Sequence, residues 1–523
     1  MDMAIKIGML VVFFGLMIGI GFYCRRRATD VNGFVLGGRS VGPWLTAFAY
    51  GTSYFSAVVF VGYAGQFGWK YGIAATWAGI GNAIIGSLLA WAVLGRRTRV
   101  MSQHLNSSTM PQFFEGRFNS KALKLAASVI IFVFLIPYTA SLYNGLSRLF
   151  GMAFNVDYEV CVIAMSILTG IYVIVGGYMA TAVNDFIQGL IMLVGIVAVV
   201  VAVLNGQGGL AEAMAGLSEV VDPSVSTAQG AFSSFFGPDP VNLLGVVLLT
   251  SLGTWGLPQM VQKFYAIKNE KAITKGMIIS TVFALIVAGG CYFLGGFGRL
   301  FSDRIDLANG GYDSIIPAML SDLSPLLIAV VVVLVLSASM STLSSLVLAS
   351  SSTLTLDFIK GTVVKNLSEK KQLLIMRILI AVFIVISAVI AIAQYQSNIT
   401  FIAQLMGISW GALAGAFLAP FLYGLFWKRV STASVWVSFL FSSVVMLLNM
   451  VCKSVFPPLL QSPINAGVFC MLGGLVLVPL VSLVTKPPKR EYVEKVFACY
   501  DQKVVVSAAD AIGEPIEEEE MTT

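Results

Sequence analysis

The sequence predicts an all-α integral membrane protein of about thirteen transmembrane helices, and three observations carry that prediction. Of its 523 residues 57% are hydrophobic and only 11% charged, against about 25% charged in a soluble domain, and its mean hydropathy is +0.87. The apolar residues gather in runs of about 20, the length a helix needs to cross a bilayer. The basic residues gather in alternate loops between those runs, the asymmetry that orients membrane proteins. A water-soluble globular enzyme is excluded, because a core this large needs a charged surface. The net charge of +6, from 32 basic and 26 acidic residues scattered through loops, forms no nucleic-acid-binding tract. The single histidine, His104, supports neither a metal cluster nor a histidine-based triad, and the six cysteines fall singly with no C-x-x-C, so no disulfide scaffold or zinc site follows.

The apolar runs lie at about residues 4–24, 43–68, 72–95, 122–149, 158–179, 184–205, 240–265, 275–298, 324–353, 372–394, 399–426, 431–452 and 465–485. Each is expected to be helical, because hydrocarbon offers no partner to an unpaired backbone group. Basic clusters then fall on one side: Arg25, Arg26 and Arg27; Arg96, Arg97 and Arg99; Lys263, Lys268, Lys271 and Lys275; Lys360, Lys365, Lys370 and Lys371; Lys428 and Arg429; Lys486, Lys489 and Arg490. The longest opposite loop, 206–239, has no Lys or Arg but holds Glu212, Glu219, Asp222 and Asp239. The N-terminus is therefore expected outside and the C-terminus in the cytoplasm. The first run reads as a retained helix, since its positive cluster follows the apolar stretch and no small-x-small cleavage site appears. Residues 486–523, broken by Pro487 and Pro488 and carrying the acidic run Glu517 to Glu520, are expected to form a disordered cytoplasmic tail.

Two spans are interrupted. The middle of 43–68 carries Gly51, Thr52, Ser53 and Ser56 where a plain anchor would carry Leu or Val. Five spans later, 240–265 reads Gly253, Thr254, Trp255, Gly256, Leu257, Pro258, closed by a residue with no amide hydrogen to donate. Small residues in a single span commonly serve close helix packing. Two interrupted spans, five apart and opposite in direction, point instead to a transporter of inverted repeats that holds substrate and ion at the breaks. Residues 43–206 are then the first repeat and 240–427 the second, with 4–24, 431–452 and 465–485 peripheral.

The ninth span is rich in hydroxyls, and Ser341, Ser344 and Ser345, with Ala338 and Thr342, recur at i, i+3 and i+4 on one helical face. A face of neutral oxygens suits a partly dehydrated sodium ion, a hard cation; hydrogen bonding between helices is the alternative. Asp185, in Asn184-Asp185-Phe186-Ile187-Gln188, follows a Gly176-Gly177 break at the start of the sixth span. A carboxylate at that depth needs a bound cation or an arginine, unless it is a helix N-cap. Asp357, Lys263 and Arg39 lie near cytoplasmic ends and read as interfacial anchors or gate residues.

At these residues the chain resembles the sodium:solute symporter family, in particular its sodium/proline and sodium/pantothenate branches. The matching stretches are Val35 to Pro43, Gly176-Gly177 through Gln188, Gly256-Leu257-Pro258, Met340 to Ser344, and Trp410 through Pro420 ahead of Trp427, spread over about residues 5–485. The resemblance implies a LeuT-type five-plus-five inverted-repeat core and alternating access, with sodium co-transported as a small organic solute is imported. Carried over by position, the main sodium site would use backbone oxygens of Thr52 and Phe55, the Ala338 carbonyl and the hydroxyls of Ser341 and Thr342. A second sodium, held by some members, would take Asp185, Ser341, Ser344 and Ser345, which moves Asp185 from cap toward ligand. The substrate cavity would be lined by Ser53, Tyr54, Ser56, Tyr138, Thr254, Trp255 and Pro258.

One departure bears on the solute. The proline branch carries an aspartate where this chain has Tyr54 and an aromatic where it has Thr254, and Ser53 to Ala57 and Lys70-Tyr71-Gly72 look more like the pantothenate branch. The implied solute is a small zwitterion, an amino acid such as proline, or a pantothenate-like organic anion. The expected setting is a plasma membrane, the inner membrane of a bacterium, with the chain working as a monomer. The alternative is a membrane solute sensor signalling through a separate partner, since about 35 residues after the last span are too few for a fused kinase. A channel would need a ring of charges or a carbonyl filter, and an intramembrane enzyme a nucleophile–base pair; the sequence offers neither.

Overall fold

The computed structural model describes residues 2–501 apart from 26–28, 155, 306, 308–310, 365–366 and 398–401. Arg26, Arg27, Lys365 and the run Glu517 to Glu520 lie outside the described residues, as does the side chain of Tyr54. Fifteen helices position the site: α1 (Asp2–Cys24), α2 (Pro43–Tyr54), α3 (Val58–His104), α4 (Met110–Phe118), α5 (Lys121–Phe154), α6 (Tyr158–Gly206), α7 (Pro240–Leu252), α8 (Pro258–Ala266), α9 (Glu270–Gly295), α10 (Pro325–Thr353), α11 (Glu369–Ser397), α12 (Ile402–Phe426), α13 (Thr432–Val451), α14 (Pro463–Val484) and α15 (Arg490–Phe497). Among the described residues the strand-like pairings are two isolated bridges, Val41 with Ile267 and Asp222 with Ser226.

The chain is thus a multi-spanning membrane protein. Among the described residues ten helices are long and apolar enough to cross a bilayer, or eleven with α7 and α8 taken as one span bent by 47°. The runs expected as separate spans share helices. The 43–68 run divides at Phe55, leaving α2 at 12 residues while its remainder continues through 72–95 as α3. The runs 158–179 and 184–205 both lie on α6, whose backbone turns at Gly177 with φ 59° and ψ −155°, a conformation open to a residue without Cβ.

Burial separates centre from periphery. The most apolar window of α12 is 94% buried and that of α10 78%, against 11% for α1. The inner helix α10 packs on α1, α2, α5 and α6, and α12 on α5, α13 and α14. Helices α3 and α9 cross backbone to backbone, since a Cβ on Gly68 would overlap the Gly295 carbonyl. Outward faces expose Val11, Val12, Val194, Val241 and Val389, the surface that lipid covers.

The basic loops meet at one end, where Arg97 donates to the Leu425 carbonyl (3.1 Å) and Arg99 to those of Ile267 (3.1 Å) and Lys268 (2.6 Å). The acidic 206–239 loop lies at the other end, where Asp222 pairs with Arg299 at 2.9 Å. Residues 490–501, expected within a disordered tail, instead fold against the basic end. Val493, Val496 and Phe497 form the buried stripe of α15, Lys428 pairs with Glu494 at 2.6 Å, and Phe497 covers the Arg117 guanidinium at 4.9 Å. An apolar stripe at i, i+3 and i+4 was the signal for this in the sequence.

Candidate functional site

The last turn of a helix leaves carbonyls without intrahelical partners, and α2 ends inside the bundle. Phe55 is extended (φ −100°, ψ 116°), and Ser56 caps the next segment, its hydroxyl accepting from the Val58 amide at 3.3 Å. The freed carbonyls face α10. Ser341 Oγ lies 3.1 Å from the Thr52 carbonyl and 3.0 Å from that of Ala338. Thr342 Oγ1 lies 3.1 Å from Thr52 O, 3.2 Å from Phe55 O and 3.1 Å from Ala338 O. Each hydroxyl has one proton to give, so these contacts cannot all be hydrogen bonds at once. The Thr52 hydroxyl takes no part, being bonded to Phe48 O at 2.8 Å. All five residues named for the main sodium site therefore converge as buried, uncharged oxygens around one point.

One turn along α10 the chemistry changes. Asp185 is fully buried and both its oxygens lack a hydrogen-bond partner. The nearest cation is Lys263, whose Nζ stands 3.8 Å from Asp185 Oδ2, donates to Ser345 Oγ at 3.1 Å and lies 5.0 Å from the Tyr178 ring centre. Ser345 Oγ also meets Ser53 Oγ at 2.9 Å, while Ser344 Oγ turns back onto Ser341 O at 2.9 Å. Two expectations are corrected here. Asp185 is not an N-cap, because the helix restarts just after Gly177 and is already two turns long at residue 185. Lys263 is not an interfacial anchor: at 2% exposure it is inside the protein, carried in by α8 after the second break.

The second break matches the first in form. Leu257 is extended (φ −82°, ψ 125°) and Pro258 opens α8, where its missing amide hydrogen costs nothing. Thr254 Oγ1 donates to Ser251 O at 2.8 Å and approaches Gly86 O at 3.2 Å, and Trp255 Nε1 donates to Ile85 O at 2.9 Å. Thr254 and Trp255 are thus tied to α3, and Ser53 to the Lys263 cluster. Tyr138 lies beside Ser56 and Trp410, its ring 6.0 Å from that of Trp410, and its hydroxyl and Trp410 Nε1 are buried without a partner at hydrogen-bond geometry.

Trp410 was overlooked as a lining residue by sequence reasoning. It links the two breaks, touching Tyr138 on one side, while a Cβ on Gly253 would stand 3.3 Å from its ring. A lone tryptophan in the small-residue run 407–416 was the available signal. Lys263 reads in the sequence as an interfacial anchor or gate residue, and its place beside Asp185 and Ser345 was not anticipated, because it falls in a loop cluster of lysines. Asp357 is buried, accepting from Thr109 Oγ1 (2.6 Å) and Gln112 Nε2 (2.8 Å), and Arg39 donates to Ser107 O at 2.6 Å; both lie at the basic end, away from the breaks. At the opposite end a cavity of ≈ 900 Å³ is lined by Lys70, Tyr71, Asp239, Arg299 and Lys453 among others.

A model of the sodium:solute symporter family matches residues 34–440. The osmoregulated proline transporter OpuE of Bacillus subtilis (strain 168) is 27% identical over 485 residues, which cover 92% of this chain and 95% of that one. The sodium/proline symporter of Staphylococcus aureus (strain JH9) is 29% identical over 503 residues, covering 92% and 93%. Among solved structures, the substrate-bound outward-open state of a Na+-coupled sialic acid symporter matches with a TM-score of 0.74 at 16% identity, over 93% of this chain and 98% of that one, a likeness of fold.

Proposed function

The chain belongs to the sodium:solute symporter family, and from that premise we propose that it imports a small zwitterion or organic anion together with sodium bound where α2 breaks against α10. The observation that carries this reading is the convergence of Thr52 O, Phe55 O, Ala338 O, Ser341 Oγ and Thr342 Oγ1 with too few protons to satisfy one another. Buried oxygens facing one another are costly, and a cation among them removes that cost. The solute sits beside it, between the breaks, with Tyr138, Ser56 and Pro258 on its walls and the buried Tyr138 Oη and Trp410 Nε1 to orient it. Thr254, Trp255 and Ser53 complete the wall in this reading. Sodium binding and solute binding then favour each other by an equal factor, because coupling between sites is reciprocal.

The matching breaks support a five-plus-five inverted-repeat core, 43–206 and 240–427, crossed thirteen times in all when each interrupted run counts as its own span. The basic end faces the cytoplasm, the ≈ 900 Å³ cavity opens outward as the route of entry, and the chain works as a monomer in a bacterial inner membrane. Proline is the first solute to try, as the name of two relatives, and pantothenate the second, because Tyr54 and Thr254 depart from the proline branch.

Uptake of labelled solute into proteoliposomes, with and without an inward sodium gradient, tests the reading. Sodium-driven accumulation is expected; equal uptake in both would sink sodium coupling, and binding without uptake would point to a sensor. A thermal-shift screen of amino acids, vitamins and carboxylates in sodium against potassium identifies the solute, since a ligand that binds only the folded protein raises its midpoint.

A further inference from the structure

The cluster around Lys263 has the donors and shape of a cation site with its cation already attached to the chain. The Lys263 ammonium donates one hydrogen bond, to Ser345 Oγ at 3.1 Å, and is held electrostatically by the Asp185 carboxylate at 3.8 Å and by the Tyr178 ring at 5.0 Å. Lys263, Asp185, Ser345 and Tyr178 are each 3% exposed or less, so water does not screen the charges. Asp185, which the family resemblance offered as the anchor of a second sodium, has Lys263 as its nearest cation and no hydrogen-bond donor. A sodium ion on Asp185 and Ser345 would have to share that space with a like charge in a medium of low dielectric.

We propose that the Lys263 ammonium is a tethered cation occupying the second cation position, so that the symporter couples transport to one sodium ion, held at the Thr52–Thr342 cluster. The inference rests on the sodium site proposed above. The charges agree with it: Asp185 and Lys263 sum to zero without an added ion, whereas the five-oxygen cluster is neutral only when empty. Lys263 rides on α8 directly after the break at Leu257, so the tethered charge belongs to the second broken span and meets a carboxylate from α6 and a hydroxyl from α10. Coupling to one ion instead of two lowers the gradient needed to load the carrier but also the concentration ratio it can sustain.

The test uses the purified full chain and labelled sodium alone. Equilibrium binding is expected to saturate at one ion per wild-type chain with a Hill coefficient of one. Lys263→Gln leaves the Asp185 carboxylate without its cation and is expected to bind two ions, the second insensitive to Thr342→Val. The double variant Asp185→Asn/Lys263→Gln removes both charges and is expected to return to one. Two ions on the wild-type chain would overturn the inference while leaving the sodium symport reading intact, and so would a single ion on a folded Lys263→Gln chain. No sodium on the wild-type chain would overturn both readings. Should Lys263→Gln fail to fold, the wild-type stoichiometry and the double variant decide the matter.

Discussion

Two groups of oxygens stand one turn apart on α10, and the difference between them lies in what approaches from the other helices. Around Ser341 and Thr342 the neighbours are backbone carbonyls of a broken helix, and every group is neutral. Around Ser345 the neighbours are the Ser53 hydroxyl and the Lys263 ammonium, which stands 3.8 Å from the Asp185 carboxylate. On the proposed reading, the same serine-rich face yields a site for a mobile cation and another whose cation is covalently fixed. A hydroxyl on a helix is permissive, and the charge balance of its surroundings decides which ligand it keeps.

Removing one charge of the fixed pair has the largest expected effect. Asp185→Asn leaves a buried ammonium uncompensated and is expected to cost about 3–5 kcal/mol of stability, read as a lowered thermal midpoint in detergent. Adding Lys263→Gln to it should recover most of that loss, and no recovery would dissolve the contrast between the two clusters.

A third buried carboxyl, outside the spans, separates this effect from ordinary titration. Asp313 is 3% exposed, and burial pushes its pKa up to about 6, with Arg148 and the Ile402 amide opposing the rise. The folded protein therefore holds this proton more tightly than the unfolded chain. Its contribution, up to about 3 kcal/mol, is present below pH 4 and is lost as pH rises through 6. Asp313→Asn is expected to flatten the thermal midpoint between pH 4 and 7; a slope that persists would belong to other groups.

Next comes the neutral cluster itself. Thr342→Val keeps the side-chain shape and removes one oxygen, and a bond to a charged group is worth about 1.5–3 kcal/mol. The sodium concentration for half-maximal uptake should rise about tenfold or more, with Ser341→Ala acting in the same direction. An unchanged value would remove these residues from the ion site. The smallest expected effect is at Trp410→Phe, which keeps the ring and deletes the N–H, and is expected to weaken solute half-saturation by a few-fold, about 1 kcal/mol, without moving the sodium dependence. A shift in sodium dependence instead would place Trp410 with the ion.

Much of this site was legible in the chain. Gly51 to Ser56 and Gly253 to Pro258 mark both breaks, because small residues and a proline within apolar runs weaken the helix where it stands. The spacing of Ala338, Ser341 and Thr342 put these three residues on one face, since the α-helical period is a local property. The fate of Lys263 was not legible. Its neighbours in sequence, Lys268, Lys271 and Lys275, argued for a loop, while its neighbours in space, Asp185 and Ser345, are 78 and 82 residues away. The fold of residues 490–501 was missed in the same way, for its apolar stripe gains meaning only where Arg117 and Lys428 offer partners to Phe497 and Glu494.

Composition and periodicity by themselves determined that this is a helical membrane protein, which ends carry the basic loops, and where two helices must break, because hydrocarbon enforces those rules residue by residue. The tertiary structure alone decided which buried oxygens face each other and which of them meet a charge. Those outcomes depend on contacts between segments from 78 to 290 residues apart, and in a low dielectric a single ammonium brought within 4 Å outweighs everything local sequence says about a serine.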